Sequence, residues 1–165
     1  MIKKSILLSS LIFSIAVLIG MIMGNFYLND ISWFNNGVKQ LSCFDIFFHN
    51  FKSNIINLMG IVSFGFLTII YLIINGFLLG VTIWKGGFYV FLNKIVPHGI
   101  FEISSMILIS SIGLLPIWFG VYKYKDITIN LSKNAAIIIF KMILFSIALL
   151  FLAAAIESKI ISGGI

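Results

Sequence analysis

Residues 97–122 read Pro-His-Gly-Ile-Phe-Glu-Ile-Ser-Ser-Met-Ile-Leu-Ile-Ser-Ser-Ile-Gly-Leu-Leu-Pro-Ile-Trp-Phe-Gly-Val-Tyr, and what they lack decides the fold. After Glu102 no charged side chain occurs until Lys123, an interval of 20 residues. A helix rises about 1.5 Å per residue, so such a run crosses a hydrocarbon core of roughly 30 Å. Pro97 suits the first turn of that helix, where its missing N–H is no loss. Glu102 therefore stands where the chain commits to hydrocarbon, and an ionisable residue there is a candidate functional group by default.

The rest of the chain has the same character. Of its 165 residues, 61% are hydrophobic and 10% are charged, and the mean hydropathy is +1.16. Soluble domains carry charge on about a quarter of their residues. The composition specifies an all-α, polytopic transmembrane helical bundle of four to five spans, forming a single integral membrane domain over residues 1–165. The net charge of +6 comes from lysines at the ends of apolar stretches, where they suit lipid headgroups and the cytoplasmic surface. They form no basic cluster interleaved with aromatics, so no nucleic-acid partner is expected. Cys43 is the single cysteine, which excludes an internal disulfide and a multi-cysteine metal site.

Four spans are expected at about residues 5–26, 55–84, 97–122 and 135–157. The first is the 25-residue uncharged stretch from Ser5 to Asn29, preceded by Lys3 and Lys4. Met21-Ile22-Met23-Gly24 offers no signal-peptide cleavage site, so the span reads as retained with its N-terminus inside. Gly20 and Gly24 make a small-xxx-small pair for close helix packing. Trp33 and the turn Asn35-Asn36-Gly37 place the next segment outside the hydrocarbon. Phe44, Phe47, Phe48 and Phe51 then fall on one helical face, for a helix lying in the interface or packed on the other spans. In the fourth segment's predecessor, Pro116 with Gly113 and Gly120 predicts a late kink.

The main ambiguity lies between Lys52 and Lys85, which bracket 32 uncharged residues. In one arrangement a long helix through Trp84 breaks at Gly86-Gly87, and a short amphipathic or re-entrant piece, residues 88–96, follows. In the other, Asn75-Gly76 is a turn and residues 77–96 form an extra span with Lys85 in its middle. With four spans, Lys3, Lys4, Lys85, Lys94 and Lys159 lie inside and Lys39, Lys52, Lys123, Lys125 and Lys133 outside, a tie. With five, Lys123, Lys125 and Lys133 join Lys3 and Lys4, which the positive-inside rule favours, while a Lys85 buried in mid-span argues against it.

In a helix starting at Pro97, His98 and Glu102 are four residues apart and share a face. Glu157 closes the last span in Ala153-Ala154-Ala155-Ile156-Glu157. The last two spans are consecutive and antiparallel, so Glu102 and Glu157 meet at one leaflet under either span count. Asn75 with Gly76 and Gly80 adds a third polar element, since small residues admit a close neighbour and the amide can bond a broken helix or a carboxylate. The expected polar cluster is thus Asn75, Gly76, Gly80, Pro97, His98, Gly99, Glu102 and Glu157.

The plainest role for this cluster is capping helix ends and fixing helix register. A proton relay, a metal site of His98 with two carboxylates, and recruitment of a partner protein are the sharper alternatives. The sequence has no HExxH pair, no GxSxG elbow and no GxxxxGK[ST] loop, so no catalytic residue, metal or cofactor is assigned and no enzyme is expected. Ser104, Ser105, Ser110 and Ser111 read as small polar packing residues.

The stretch Pro97-His98-Gly99-Ile100-Phe101-Glu102 resembles the Pro-His-Gly-x-x-Glu signature of the stage II sporulation protein M family. Asn75-Gly76-Phe77-Leu78-Leu79-Gly80 and the Ala-Ala-x-Ile-Glu ending at Glu157 match in order. His49-Asn50 through Gly60 resembles the family's asparagine-containing lead-in, with His49 in place of the usual first asparagine. The resemblance covers residues 45–160 and implies a non-enzymatic, multi-pass protein of the bacterial cell membrane. It also implies partners, either peptidoglycan-cutting enzymes held at a septal membrane or a separate transport ATPase in a system for circular bacteriocins, and it leaves room for a homo-oligomer. A first span beginning after four residues, without a sizeable cytoplasmic tail, is similar to the short bacteriocin-associated members.

Overall fold

The computed structural model describes residues 1–27, 42–125 and 133–162. Asp30, Trp33, Asn35-Asn36-Gly37 and Lys39 lie outside the described residues, as does residues 126–132 of the polar loop before the last helix. The described residues are helical, with no strand among them: α1 (Ile2–Tyr27), α2 (Cys43–Leu58), α3 (Phe66–Val90), α4 (Val96–Gly113), α5 (Leu115–Tyr124) and α6 (Lys133–Ile161). Three segments are long and apolar enough to cross a membrane: Ile2–Gly24, the bent Phe66–Tyr124, and Asn134–Ile161.

The bundle is organised around a parallel pair, α1 and α3. Gly76 meets Phe13 and Ala16, Gly80 meets Val17 and Met21, and Gly24 meets Trp84, so both helices advance in the same direction. Gly20 and Gly80 each lie so close to the opposite backbone that a Cβ would overlap a carbonyl oxygen, of Phe77 and Val17 respectively. In lipid, where apolar burial does not drive helices together, such close contact supplies the association.

Two parallel neighbours need an antiparallel return, and α2 is that return. It starts at a capping box, in which Ser42 Oγ accepts from the Asp45 N–H at 3.2 Å and the Asp45 carboxylate accepts from the Ser42 N–H at 3.1 Å. Asn54 lies opposite Ser105, Asn57 opposite Ser110, and Gly60 opposite Gly113, so α2 runs parallel to α4. Phe47 stacks on Phe51 and meets Phe151 of α6 edge-on, while Phe44 and Phe48 stay exposed. The helix is therefore packed upright on its neighbours, with part of its aromatic face turned outward.

The stretch expected to be one helix over residues 55–84 is divided. A tight turn at Met59–Ile61 and the residues after it reverse the chain, with Phe64 at φ 52° and Gly65 at φ 86°. Gly60 sits against Thr68 and Gly113, where a side chain has no room. Asn75 and Gly76, where a turn was one of two expectations, lie inside α3. The break comes at Gly87, whose φ of 71° and ψ of 172° only glycine adopts readily. A short piece with a wider π-helical turn, Phe91–Ile95, then leads into α4, with Pro97 in its first turn.

At the other end, α4 stops at Gly113 and α5 begins with Pro116 in its first turn, where the kink was expected. Lys4 reaches over Trp118 and Tyr122, 5.6 and 5.5 Å from the ring centroids, so α1 begins where α5 lies. Ile139, Met142 and Ile143 of α6 pack at the same end, around Ile109, Ile112 and Leu115. Lys3, Lys4, Lys123, Lys125 and Lys133 are thereby gathered at one end of the bundle. The additional leg is α2 with its turn, not residues 77–96. Lys141, within the expected last span, is exposed.

The glycine contacts yield a test. Gly80→Val overpacks the α1–α3 seam, at a cost of about 1–3 kcal/mol, and lowers the unfolding temperature in detergent. Gly120→Ala, which meets nothing within 4 Å, leaves it unchanged or slightly raised. Equal melting of the two variants would contradict the seam.

Candidate functional site

Where α4 faces α6, the ligating atoms of His98, Glu102 and Glu157 all lie within 4.8 Å of one another. The i, i+4 spacing on α4 brings His98 and Glu102 to one face, and the antiparallel course of α6 delivers Glu157 opposite. Phe13 shares a cavity with Asn75, His98 and Glu102, and Phe13 is about 17 Å along an α1 of about 39 Å, taking 1.5 Å per residue. From Gly87 the chain passes through the π-helical piece Phe91–Ile95 into α4, and Ile95 lines the same cavity.

Three cavities meet at Glu102. One of about 180 Å³ is lined by Phe13, Asn75, Thr82, His98 and Gly99 among others. A second, about 120 Å³, has His49, Asn50, Ser53, Asn54, Tyr71 and Asn75 on its walls. The third, about 250 Å³, lies between Asp45, His49 and Asn50 of α2 and Glu157. A water occupies about 30 Å³ in the liquid, so each cavity has room for several. All three have Glu102 on their walls, and together they outline a cleft of mixed polar and apolar lining bounded by α1, α2, α3, α4 and α6.

A second polar layer adjoins the cleft, with Asn54 on the wall of the second cavity, and is joined by hydrogen bonds between helices. Asn54 donates to Ser105 Oγ at 2.9 Å, and Ser105 Oγ is 2.6 Å from Ser146 Oγ. Asn57 donates to Ser110 Oγ at 2.9 Å, and Thr68 donates to the Asn57 carbonyl at 2.7 Å. All six residues are buried, and the Asn57 side-chain oxygen is buried without a partner. This layer is closed and ties α2, α3, α4 and α6 together. In the cleft, by contrast, neither Glu102 nor Glu157 has a hydrogen bond or ion pair among the described residues. His98 Nδ1 is buried without a partner.

The chain matches the family model for stage II sporulation protein M over residues 9–160. It belongs to the stage II sporulation protein M family. It is also 33% identical to an uncharacterized protein of Methanocaldococcus jannaschii, over 94% of this chain and 92% of that relative. No solved structure matches the chain.

In this member of the family, Asn75, His98, Gly99, Glu102 and Glu157 come together around the cleft, although the Asn75 amide donates to the Tyr71 carbonyl of its own helix at 2.8 Å. Gly76 and Gly80 face α1 instead, and Pro97 opens α4. The sequence reading passed over Ser53, Tyr71 and Thr82 on the cleft walls and gave His49 and Asn50 no site role. It also missed Asn54 and Asn57 as a buried layer. Their signal was present: Asn50, Asn54 and Asn57 at i, i+4 and i+7 make a polar stripe on one face of α2.

The two layers respond differently to substitution. Asn57→Ala leaves buried partners unsatisfied and costs about 1–3 kcal/mol. Glu102→Gln removes a like charge beside Glu157 and raises or preserves the unfolding temperature in detergent, as substitutions at functional sites often do. A Glu102→Gln loss as large as that of Asn57→Ala would make the carboxylate part of the structural layer.

Proposed function

We propose that this chain is a non-enzymatic membrane scaffold that recruits a partner protein through the cleft around Glu102. The observation that carries the reading is the contrast between the two polar layers. Polar groups that only hold helices together are satisfied by one another, as Asn54, Ser105 and Ser146 are. Carboxylates left without partners inside a bundle are costly, and they persist where a function uses them. The family supports the same reading through its resemblance to proteins that hold peptidoglycan-cutting enzymes at a membrane.

The positive-inside rule adds an orientation. It favours the end bearing Lys3, Lys4, Lys123, Lys125 and Lys133 as the cytoplasmic one, against Lys85, Lys94 and Lys159 away from that end, and a cleft opening away from the five lysines would face the outer side. A partner working on the cell wall would meet it there.

A second reading rests on the meeting of three cavities at one carboxylate. Such a path suits the membrane component of an ATPase-coupled system for maturation of, export of, or immunity to a circular bacteriocin peptide. Mild cross-linking of the intact protein in its native membrane, followed by purification and mass spectrometry, separates the two. The scaffold predicts co-purified cell-wall enzymes, with recovery lost in Glu102→Gln/Glu157→Gln although insertion is unchanged. Recovery of an ATPase subunit or a bacteriocin precursor would replace it with the second reading, and undiminished recovery in the double variant would remove the cleft from either role.

A further inference from the structure

The cleft has a property that neither role uses. His98, Glu102 and Glu157 offer one imidazole nitrogen and two carboxylate oxygens from two helices, all within 4.8 Å of each other. We propose that these three side chains bind a divalent first-row metal ion, of the Zn²⁺ or Mn²⁺ kind, inside the membrane domain. The site goes beyond the scaffold reading and stands or falls apart from it.

The donor set suits such an ion. Imidazole selects first-row transition ions, and carboxylates are shared by zinc and manganese. Ligands about 2.0–2.2 Å from one ion lie roughly 3.0–3.5 Å apart, so the present separations, within 4.8 Å, have to shorten by about an ångström on binding, a movement of the size that a glutamate side-chain torsion supplies. Three protein ligands leave a coordination position open, and the adjoining cavities have room for the water that would fill it.

Electrostatics favours the same assignment. When both are ionised, the two neighbouring carboxylates carry two negative charges within a few ångströms of each other. A divalent cation brings the trio to zero net charge, the condition under which ionised groups are tolerated in hydrocarbon. His98 Nδ1, buried without a hydrogen-bond partner, gains a partner when this nitrogen is the ligand. A set serving only helix register would have been joined to the Asn54–Ser105–Ser146 layer nearby.

The test uses the full chain purified in detergent, stripped with a chelator, equilibrated with Zn²⁺ and passed through gel filtration before elemental analysis. Wild type retains about one ion per chain, and added Zn²⁺ raises its unfolding temperature, reversed by chelator, as a ligand specific for the folded state does. Glu102→Gln and Glu157→Gln reduce retention at least tenfold, whereas Cys43→Ser, a change outside the cleft at another candidate ligand, retains the ion. Wild-type protein that keeps neither Zn²⁺ nor Mn²⁺, or glutamine variants that keep as much as wild type, would overturn the site, as would loss of the ion in Cys43→Ser. If a glutamine variant fails to fold, Co²⁺ bound to wild type decides. A ligand-field spectrum stronger than that of the hydrated ion and displaced by Zn²⁺ supports the site, and the hydrated-ion spectrum alone refutes it. Metal retention with partner capture lost, or the converse, tells the failure of one proposal from that of the other.

Discussion

Close backbone approach between α1 and α3 is the constraint on which the remaining architecture depends. Gly20 and Gly80 allow it because each sits against a carbonyl of the opposite helix. The two helices run parallel, so a chain leaving the far end of α1 must come back before α3 can start. That return is α2, and its length is set by the depth at which Gly60 can tuck beneath Thr68 and Gly113. Once α2 lies beside α4, its polar stripe has to face the bundle interior. The upper part of that stripe, His49 and Asn50, borders the cleft, and the lower part, Asn54 and Asn57, enters the closed layer.

The two polar layers show how a membrane protein separates holding from doing. In hydrocarbon, an interhelical hydrogen bond contributes about 0.6 kcal/mol on average and at most about 2, so the closed layer acts by number and by fixing which residues face each other. Serines are well suited to that work because they are small enough not to separate the helices. The cleft is built of larger, ionisable groups on the same helices, one or two turns away. The closed layer fixes the positions of α2, α4 and α6, and so holds His98, Glu102 and Glu157 near one another without a bond among them. A rigid layer next to an unsatisfied site is what a binding site requires.

Much of this was legible in the sequence. The apolar runs revealed a helical membrane bundle, and the i, i+4 spacing with the antiparallel last pair placed Glu102 beside Glu157. Pro116 and Gly87 marked breaks that the helices have. What stayed hidden were features that depend on partners far away in the chain. The turn at residues 59–65 resembles any glycine- and serine-containing apolar stretch until Gly113 is known to lie against Gly60. Gly76 and Gly80 read as part of the polar cluster because they flank Asn75, yet their face of α3 belongs to α1. Periodicity shows that residues share a face but not which helix that face meets. Lysine counts suffered likewise, since α2, a leg too short to read as a span, changes which termini lie together.

The central claim is that a water-accessible cleft lies next to a closed polar layer on the same helices, and adjacent residues allow it to be tested. In a Cys43→Ser background, Ser53→Cys places a near-isosteric thiol on the cleft wall and Ser105→Cys places one in the closed layer. Rates of reaction with a small water-borne thiol reagent, measured on the folded protein in membranes and again after denaturation, compare the two sites. The account predicts that the thiol at position 53 reacts in the folded protein and that at position 105 reacts only after denaturation. Equal protection of both thiols, or equal reaction of both, would contradict it.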